Sequence, residues 1–154
     1  MNRRNLLFLA PSLLVAGGAL AKAPKTTEAP PPAQPSAPAD PRQALLASLA
    51  SCETAAMACE AHCARELSAG NTEMKECASS VAQMLTLVRA ARALLSRDAS
   101  LAKATVAVCK DACDACAAAC KAHEPHFAHG MHLECKACLE ACLSCGQACG
   151  AYLA

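Results

Sequence analysis

Two short stretches, CKDACDACAAAC at 109–120 and CKACLEACLSCGQAC at 135–149, hold nine of the thirteen cysteines in a chain of 154 residues. The other four are Cys52, Cys59, Cys63 and Cys77. Cys52 to Cys59 is seven positions and Cys59 to Cys63 four, and within both dense stretches every step is three or four. Those steps put side chains on one face of a helix. So many thiols in a small chain mean a disulfide framework or a metal site. Thirteen is odd, so complete internal pairing is impossible.

Geometry weighs against pairing along a helix. Residues three or four apart have β-carbons about 5–6 Å apart, whereas a disulfide needs about 3.5–4.5 Å. A soft ion between two sulfurs relieves that mismatch, although cross-helix disulfides remain open. Thiolates favour monovalent copper, zinc or iron–sulfur clusters. Zinc takes four ligands in a tetrahedron, usually from turns and separate elements, while one helix face offers two. One copper(I) per thiolate is a neutral assembly, whereas zinc on four thiolates leaves two negative charges inside. Cys135-x-x-Cys138 and Cys142-x-x-Cys145 have ferredoxin-like local spacing, but neither the turning loop nor the Cys-Pro that ends it is present. Copper(I), with multiple ions per chain, is the cargo these arguments favour.

Helices must hold these thiols. Asp40-Pro41 reads as an N-cap followed by proline at the first helical position, with Gly70 as the stop. Asn71 or Thr72 can cap a second helix to about Ser96, and Asp98 or Ser100 a third to about His123, where Pro125 ends it. After the loop EPHFAHG a fourth helix is expected from about Met131 to Cys149, with Gly146 a weak point. The fold class is therefore all-α, an antiparallel up-down four-helix bundle with a cysteine-lined core over residues 40–154. Leu45, Leu49, Val81, Leu85, Val88, Leu101 and Val106 continue the cysteine faces. Met57 and Met84 read as core filler. Phe8, Phe127 and Tyr152 are the only aromatic rings, so thiols would occupy volume that rings usually fill.

Ahead of the bundle, MNRRNLLFLAPSLLVAGGALAKA pairs Arg3 and Arg4 with a short apolar run and small residues, the pattern of a cleavable export signal over 1–21. The paired arginines resemble the twin-arginine export motif, which implies export, to the periplasm, of an already folded protein; an ordinary secretory signal is the alternative. The Pro/Ala-rich residues 22–39 read as a disordered linker. No membrane span is expected in the mature form. Lys and Arg number 14 against 13 Asp and Glu without a basic block, which argues against nucleic acid as a partner.

From about residue 41 onward the chain resembles the four-helix-bundle copper storage proteins, particularly their exported members. The likeness rests on the Cys52, Cys59, Cys63, Cys77 spacing with His62 beside Cys63, the Cys113, Cys116, Cys120 run, and the Cys135, Cys138, Cys142, Cys145, Cys149 ladder. It implies a homotetramer of bundles, each filled with copper(I) held mainly by thiolate pairs. Cys109 and Val88 depart from the exported pattern, which has a cysteine on helix 2 where Val88 stands, and Glu66 and Ala69 stand where methionine is expected.

An up-down bundle gathers Cys59, Cys63, Cys77, Cys116, Cys120, Cys135 and Cys138 at one end, with His62, Met74, His123, His126, His129, Met131 and His132. Ions are expected to pass through that mouth; a solvated loop with idle histidines is the alternative. The other end collects Leu45, Leu46, Leu49, Leu94, Leu95 and Leu101 as an apolar plug. No nucleophile elbow, Cys-His-Asn set or lone reactive cysteine is visible, so no catalysis is expected. The reading is exported copper storage or sequestration, with a copper-recipient protein unidentified. Its rivals are a thiol–disulfide redox protein and a zinc or mixed-metal buffer.

Overall fold

Asp40 starts the first helix as its sequence suggests. Its carboxylate accepts from the Arg42 backbone N–H at 3.0 Å, and Pro41 follows at the helix start, where a missing N–H costs nothing. The structure, a computed structural model, describes residues 40–154; the expected export signal and linker lie outside the described residues. Helix α1 spans Pro41–Ser68. It stops where Gly70 takes φ +92°, and the Asn71 N–H closes back onto the Glu66 carbonyl at 2.9 Å.

The Asn71 side chain accepts from the Glu73 N–H at 3.3 Å and opens a 3-10 turn, Thr72–Met74, that runs into α2, Lys75–Leu95. The next corner departs from the sequence expectation. Neither Asp98 nor Ser100 caps α3, which spans Ala102–Lys121 without a side-chain cap. Asp98 instead takes φ +51° to turn the chain and pairs with Arg42 at 2.8 Å. Arg42 also donates to the Leu95 carbonyl, so one guanidinium ties the start of α1 to the end of α2. Leu101 therefore precedes the helix rather than lying on its inner face, and is 65% exposed instead of plugging the core.

The loop expected after His123 contains a one-turn helix α4, Glu124–Phe127, with Pro125 in its first turn. Half-buried Phe127 packs on the core and anchors it. Helix α5 is Leu133–Leu153. It begins after Met131 because His132 is left-handed at φ +51°, and it outruns Cys149 because half-buried Tyr152 and Leu153 pack on the core. Gly146 sits mid-helix, where a β-carbon would meet Asp114 Oδ1 at 3.1 Å, so α3 and α5 approach closely there.

Among the described residues there is no strand. The four long helices pack in a ring, α1 beside α2 and α5, and α3 beside the same two. Their connections and cross-helix pairs make neighbours antiparallel: Arg42 meets Leu95 at one end, His62 meets His132 at the other. Glu53 accepts from Arg89 at 2.9 Å and Arg92 at 2.6 Å, fastening α1 to α2 on the outside. Helix α1 is long and apolar enough to cross a membrane by composition, yet its Leu45, Leu49, Cys52, Ala56, Cys59 and Cys63 build the bundle core.

At the plug end Leu45, Leu49, Val88 and Leu95 are buried, and Leu46 and Leu94 half-buried. Each fully buried leucine contributes about 1.5–3 kcal/mol. Met84 is buried as expected, but Met57 is 49% exposed. It lies five positions after Cys52 and two before Cys59, off the face they share.

Candidate metal centre

All thirteen cysteines fall on the inward faces of α1, α2, α3 and α5, and all are free and buried. Twelve are completely covered and Cys77 is 1% exposed. Their sulfurs form a column along the bundle axis. Cys109 and Cys149 stand lowest, next to the plug. Above them Cys52, Cys113 and Cys145 gather from α1, α3 and α5, with all sulfurs within 4.8 Å of one another. Next come Cys116, Cys138 and Cys142, where Cys138 Sγ lies 3.9 Å from each of the other two. Cys138 also meets Cys59 and Cys120, so it belongs to two adjoining groups. At the top Cys59, Cys63, Cys77 and Cys135 converge.

The sulfurs of Cys77 and Cys120 stand 3.6 Å apart, in free cysteines. That is far beyond an S–S bond of about 2.05 Å, and it leaves room for ions between sulfurs. One helix face offers two thiols, as expected, but in the top group three helices together gather four. Cys59 and Cys63 come from α1, Cys77 from α2 and Cys135 from α5, with Cys59–Cys77 at 3.8 Å, Cys59–Cys135 at 3.8 Å and Cys77–Cys135 at 3.9 Å. Bonds of about 2.3 Å in a tetrahedron place sulfurs about 3.8 Å apart.

Crowding splits the proton affinities of these thiols, because a thiolate here is stabilised chiefly by thiols that donate to it. Cys77 is held below the ordinary thiol range by Cys120, and Cys138 by Cys116. Cys109 pulls Cys113 down to about 6 and Cys149 to about 4. The donors move the other way: Cys120 against Cys116, Cys109 against Cys113, and Cys142 against Cys113 are pushed up. Cys145, though Cys109 and Cys113 pull it down, is pushed up to about 12 by Cys149, Cys52 and burial.

Met84 is the residue whose position adds most to the sequence reading. Its Sδ lies 3.7 Å from Cys52 Sγ, both fully buried, so a thioether joins the lower thiols. Its place on the face of Val81, Leu85 and Val88 was legible; its partner across the helix interface was not.

At the mouth the structure brings together only part of the expected set. His62 Nε2 lies 2.9 Å from His132 Nδ1, and the His123 and His126 rings stand 5.4 and 5.5 Å from the His132 ring, centre to centre. Burial, then the neighbouring His62 and His123, hold the His132 pKa below the usual imidazole value. Met74 is fully buried. Met131 is exposed but lines the same hollow as His62 and His132, and exposed His129 is not part of the ring cluster.

A buried column of thiols with a softer-to-harder change of donor toward one end is a container for soft ions. The family profile described as copper storage protein matches residues 39–154. The chain belongs to the copper storage protein family. Comparison with curated proteins returned no match. For a copper storage protein, thirteen inward thiols on four helices are the structural basis of copper binding.

Proposed function

We propose that this copper storage protein takes up copper as copper(I), on the order of one ion per thiolate, and holds it rather than using it in catalysis. The carrying observation is the burial of every thiol in one unbroken column. A neutral copper(I)–thiolate assembly suits that interior, where uncompensated charge is costly. The same burial disfavours a thiol–disulfide carrier, whose reactive cysteine must be accessible. Met84 adds a thioether ligand beside Cys52 at the lower end. The ligands are all thirteen cysteines, from Cys52 to Cys149, with the mouth residues handling ions in transit. Export by the twin-arginine route to the periplasm, assembly as a homotetramer and delivery to a recipient protein complete the proposal.

Anaerobic titration of the reduced protein with copper(I) tests it. Uptake near one ion per thiol is expected; saturation at three or four ions with zinc preferred would reverse the assignment. A second reading, zinc held at one point, is favoured by the 3.8–3.9 Å spacing among Cys59, Cys77 and Cys135 with Cys63 within 4.8 Å of each. It requires zinc to survive at that group when copper(I) is supplied.

Uptake is proposed through the mouth. His62 and His132 flank a surface hollow of about 520 Å³ that also meets Glu66 and Glu134. Neutral nitrogen donors at the surface, then the thioether of buried Met74 and the thiolates inside, pass a soft ion inward. Replacing His62 and Met74 together should slow uptake and chelator removal while leaving capacity near that of the wild type. A large fall in capacity would make them storage ligands instead.

A further inference from the structure

The mouth histidines arise from three separate parts of the chain. His62 is on α1, His123 precedes α4 and His126 lies within it, and His132 precedes α5. Nothing local in the sequence joins them. They meet because Gly130 and His132 both take left-handed conformations, at φ +71° and +51°, folding the loop back over the end of α1. His132 is the hub, with ring centres of His62, His123 and His126 at 5.1, 5.4 and 5.5 Å. A non-glycine residue in that backbone region is strained, and here the strain aims an imidazole at three others.

We infer that His62, His123 and His132, with His126 beside them, form a nitrogen-donor site for one divalent borderline ion of the zinc, cobalt or copper(II) kind, separate from the thiolate column. His62 Nε2 and His132 Nδ1, 2.9 Å apart, supply the first two donors, and His123 or His126, whose ring centres stand 5.4 and 5.5 Å from that of His132, joins them by turning its ring. Two nitrogens on one ion at about 2.0–2.1 Å stand about 2.9 Å apart at a right angle and about 3.3 Å apart in a tetrahedron. Glu134 Oε2 lies 3.5 Å from His62 Nδ1, which favours the proton there and leaves the Nε2 lone pair free. His132 then donates across the 2.9 Å contact, and a shift of its proton to Nε2 presents both lone pairs to an ion. No net proton leaves in that exchange.

Charge and access select the class of ion. A dipositive ion among neutral imidazoles needs nearby negative charge, and Glu66 and Glu134 line the same hollow. Glu134 is oriented in turn by Arg65 at 3.1 Å. Imidazole is a borderline donor that suits zinc, copper(II), cobalt and nickel, whereas a soft monovalent ion finds softer sulfur just below. The site shares His62 and His132 with the proposed route inward, but it rests on the meeting of four rings rather than on that route.

Cobalt(II) is the probe, because it reports its ligands by colour. The mature protein is first loaded anaerobically with copper(I), and its copper count is read separately, so failure of storage and failure of this site remain distinct. Cobalt(II) is then titrated. One cobalt per chain is expected, with visible ligand-field bands and without sulfur-to-cobalt charge transfer in the near ultraviolet. His132→Ala should weaken cobalt binding at least tenfold, and Glu134→Gln by about tenfold as an orienting partner. His132→Gln, with helix content by circular dichroism as a check on folding, guards against simple collapse of the loop. No bound cobalt at millimolar concentration, a sulfur charge-transfer band, or binding unchanged by both His132 substitutions would overturn the inference.

Discussion

Cys138→Ser is an informative single change in the column, because Cys138, like Cys59, is shared by two groups, with Cys116 and Cys142 on one side and Cys59 and Cys120 on the other. Two effects separate. Without metal, a hydroxyl replaces a sulfur that is completely buried among weak thiol donors. An incompletely satisfied buried hydroxyl costs about 1–3 kcal/mol. For a domain of this size each kcal/mol moves Tm by roughly 3–6 °C, so a fall of about 3–18 °C is expected. With metal, parity between thiols and ions sets wild-type capacity near the thirteen cysteines. Cys138→Ser then loses one ion if only its own charge balance matters, and two if both adjoining groups need its sulfur. Cys109→Ser, next to the plug and in neither group, should lose no more than one. Scanning calorimetry of the reduced apoprotein and anaerobic copper(I) titration against a chromophoric chelator read the two effects. Undiminished capacity in Cys138→Ser would refute the assignment of its sulfur as a ligand. Near-total loss would show that the column fills as one indivisible cluster, contrary to the charge argument.

Met84→Leu conserves volume and should cost less than about 1.5 kcal/mol in the apoprotein; if the thioether is a ligand, the variant should surrender the last copper to a competing chelator sooner than the wild type. Circular dichroism of the reduced apoprotein should show high helix content, since α1, α2 and the plug do not depend on metal; a coil-like spectrum would indicate metal-driven folding. Copper loading should release protons, measured by pH-stat titration. Cys59, Cys109, Cys120, Cys142 and Cys145, all raised, give up about one proton per copper at neutral pH, whereas Cys113 at about 6 and Cys149 at about 4 give up less. The sign follows: protons compete with copper for the raised thiols, so retention should weaken as pH falls, and retention that improves in acid would contradict thiolate binding.

The inward course of the thiols was legible because steps of three and four are a property of one helix at a time. What required two or more elements was not. The grouping of Cys59 and Cys63 with Cys77 and Cys135 depends on the register of α1 against α2 and α5. The Cys52–Met84 contact depends on the same register. Leu101 was misplaced because its apolar character continued a face that the backbone had not yet begun, the chain at Asp98 being committed to its turn and to Arg42. The histidines were legible as residues and as neighbours of the mouth. Their convergence was not, because it comes from left-handed His132 and from α4, in a segment whose Pro125 reads equally well as a helix end or a helix start.

The plug and the mouth explain each other. Leu45, Leu49 and Leu95 offer an ion no donor, so the last donors above them are the lower thiols and Met84. Those apolar contacts, with Arg42 bridging Leu95 and Asp98, fasten the bundle at the end where nothing needs to pass. At the mouth, buried Met74 and half-buried Phe127 are accompanied by polar contacts, His62 to His132 and Arg65 to Glu134, both between α1 and the start of α5. Polar pairs at a solvated end are individually weak, commonly 0 to about 1 kcal/mol. They can be broken and remade without disturbing the packed half. On the proposed route inward, exchange of these contacts would let ions pass at the mouth while the packing of the plug stays in place.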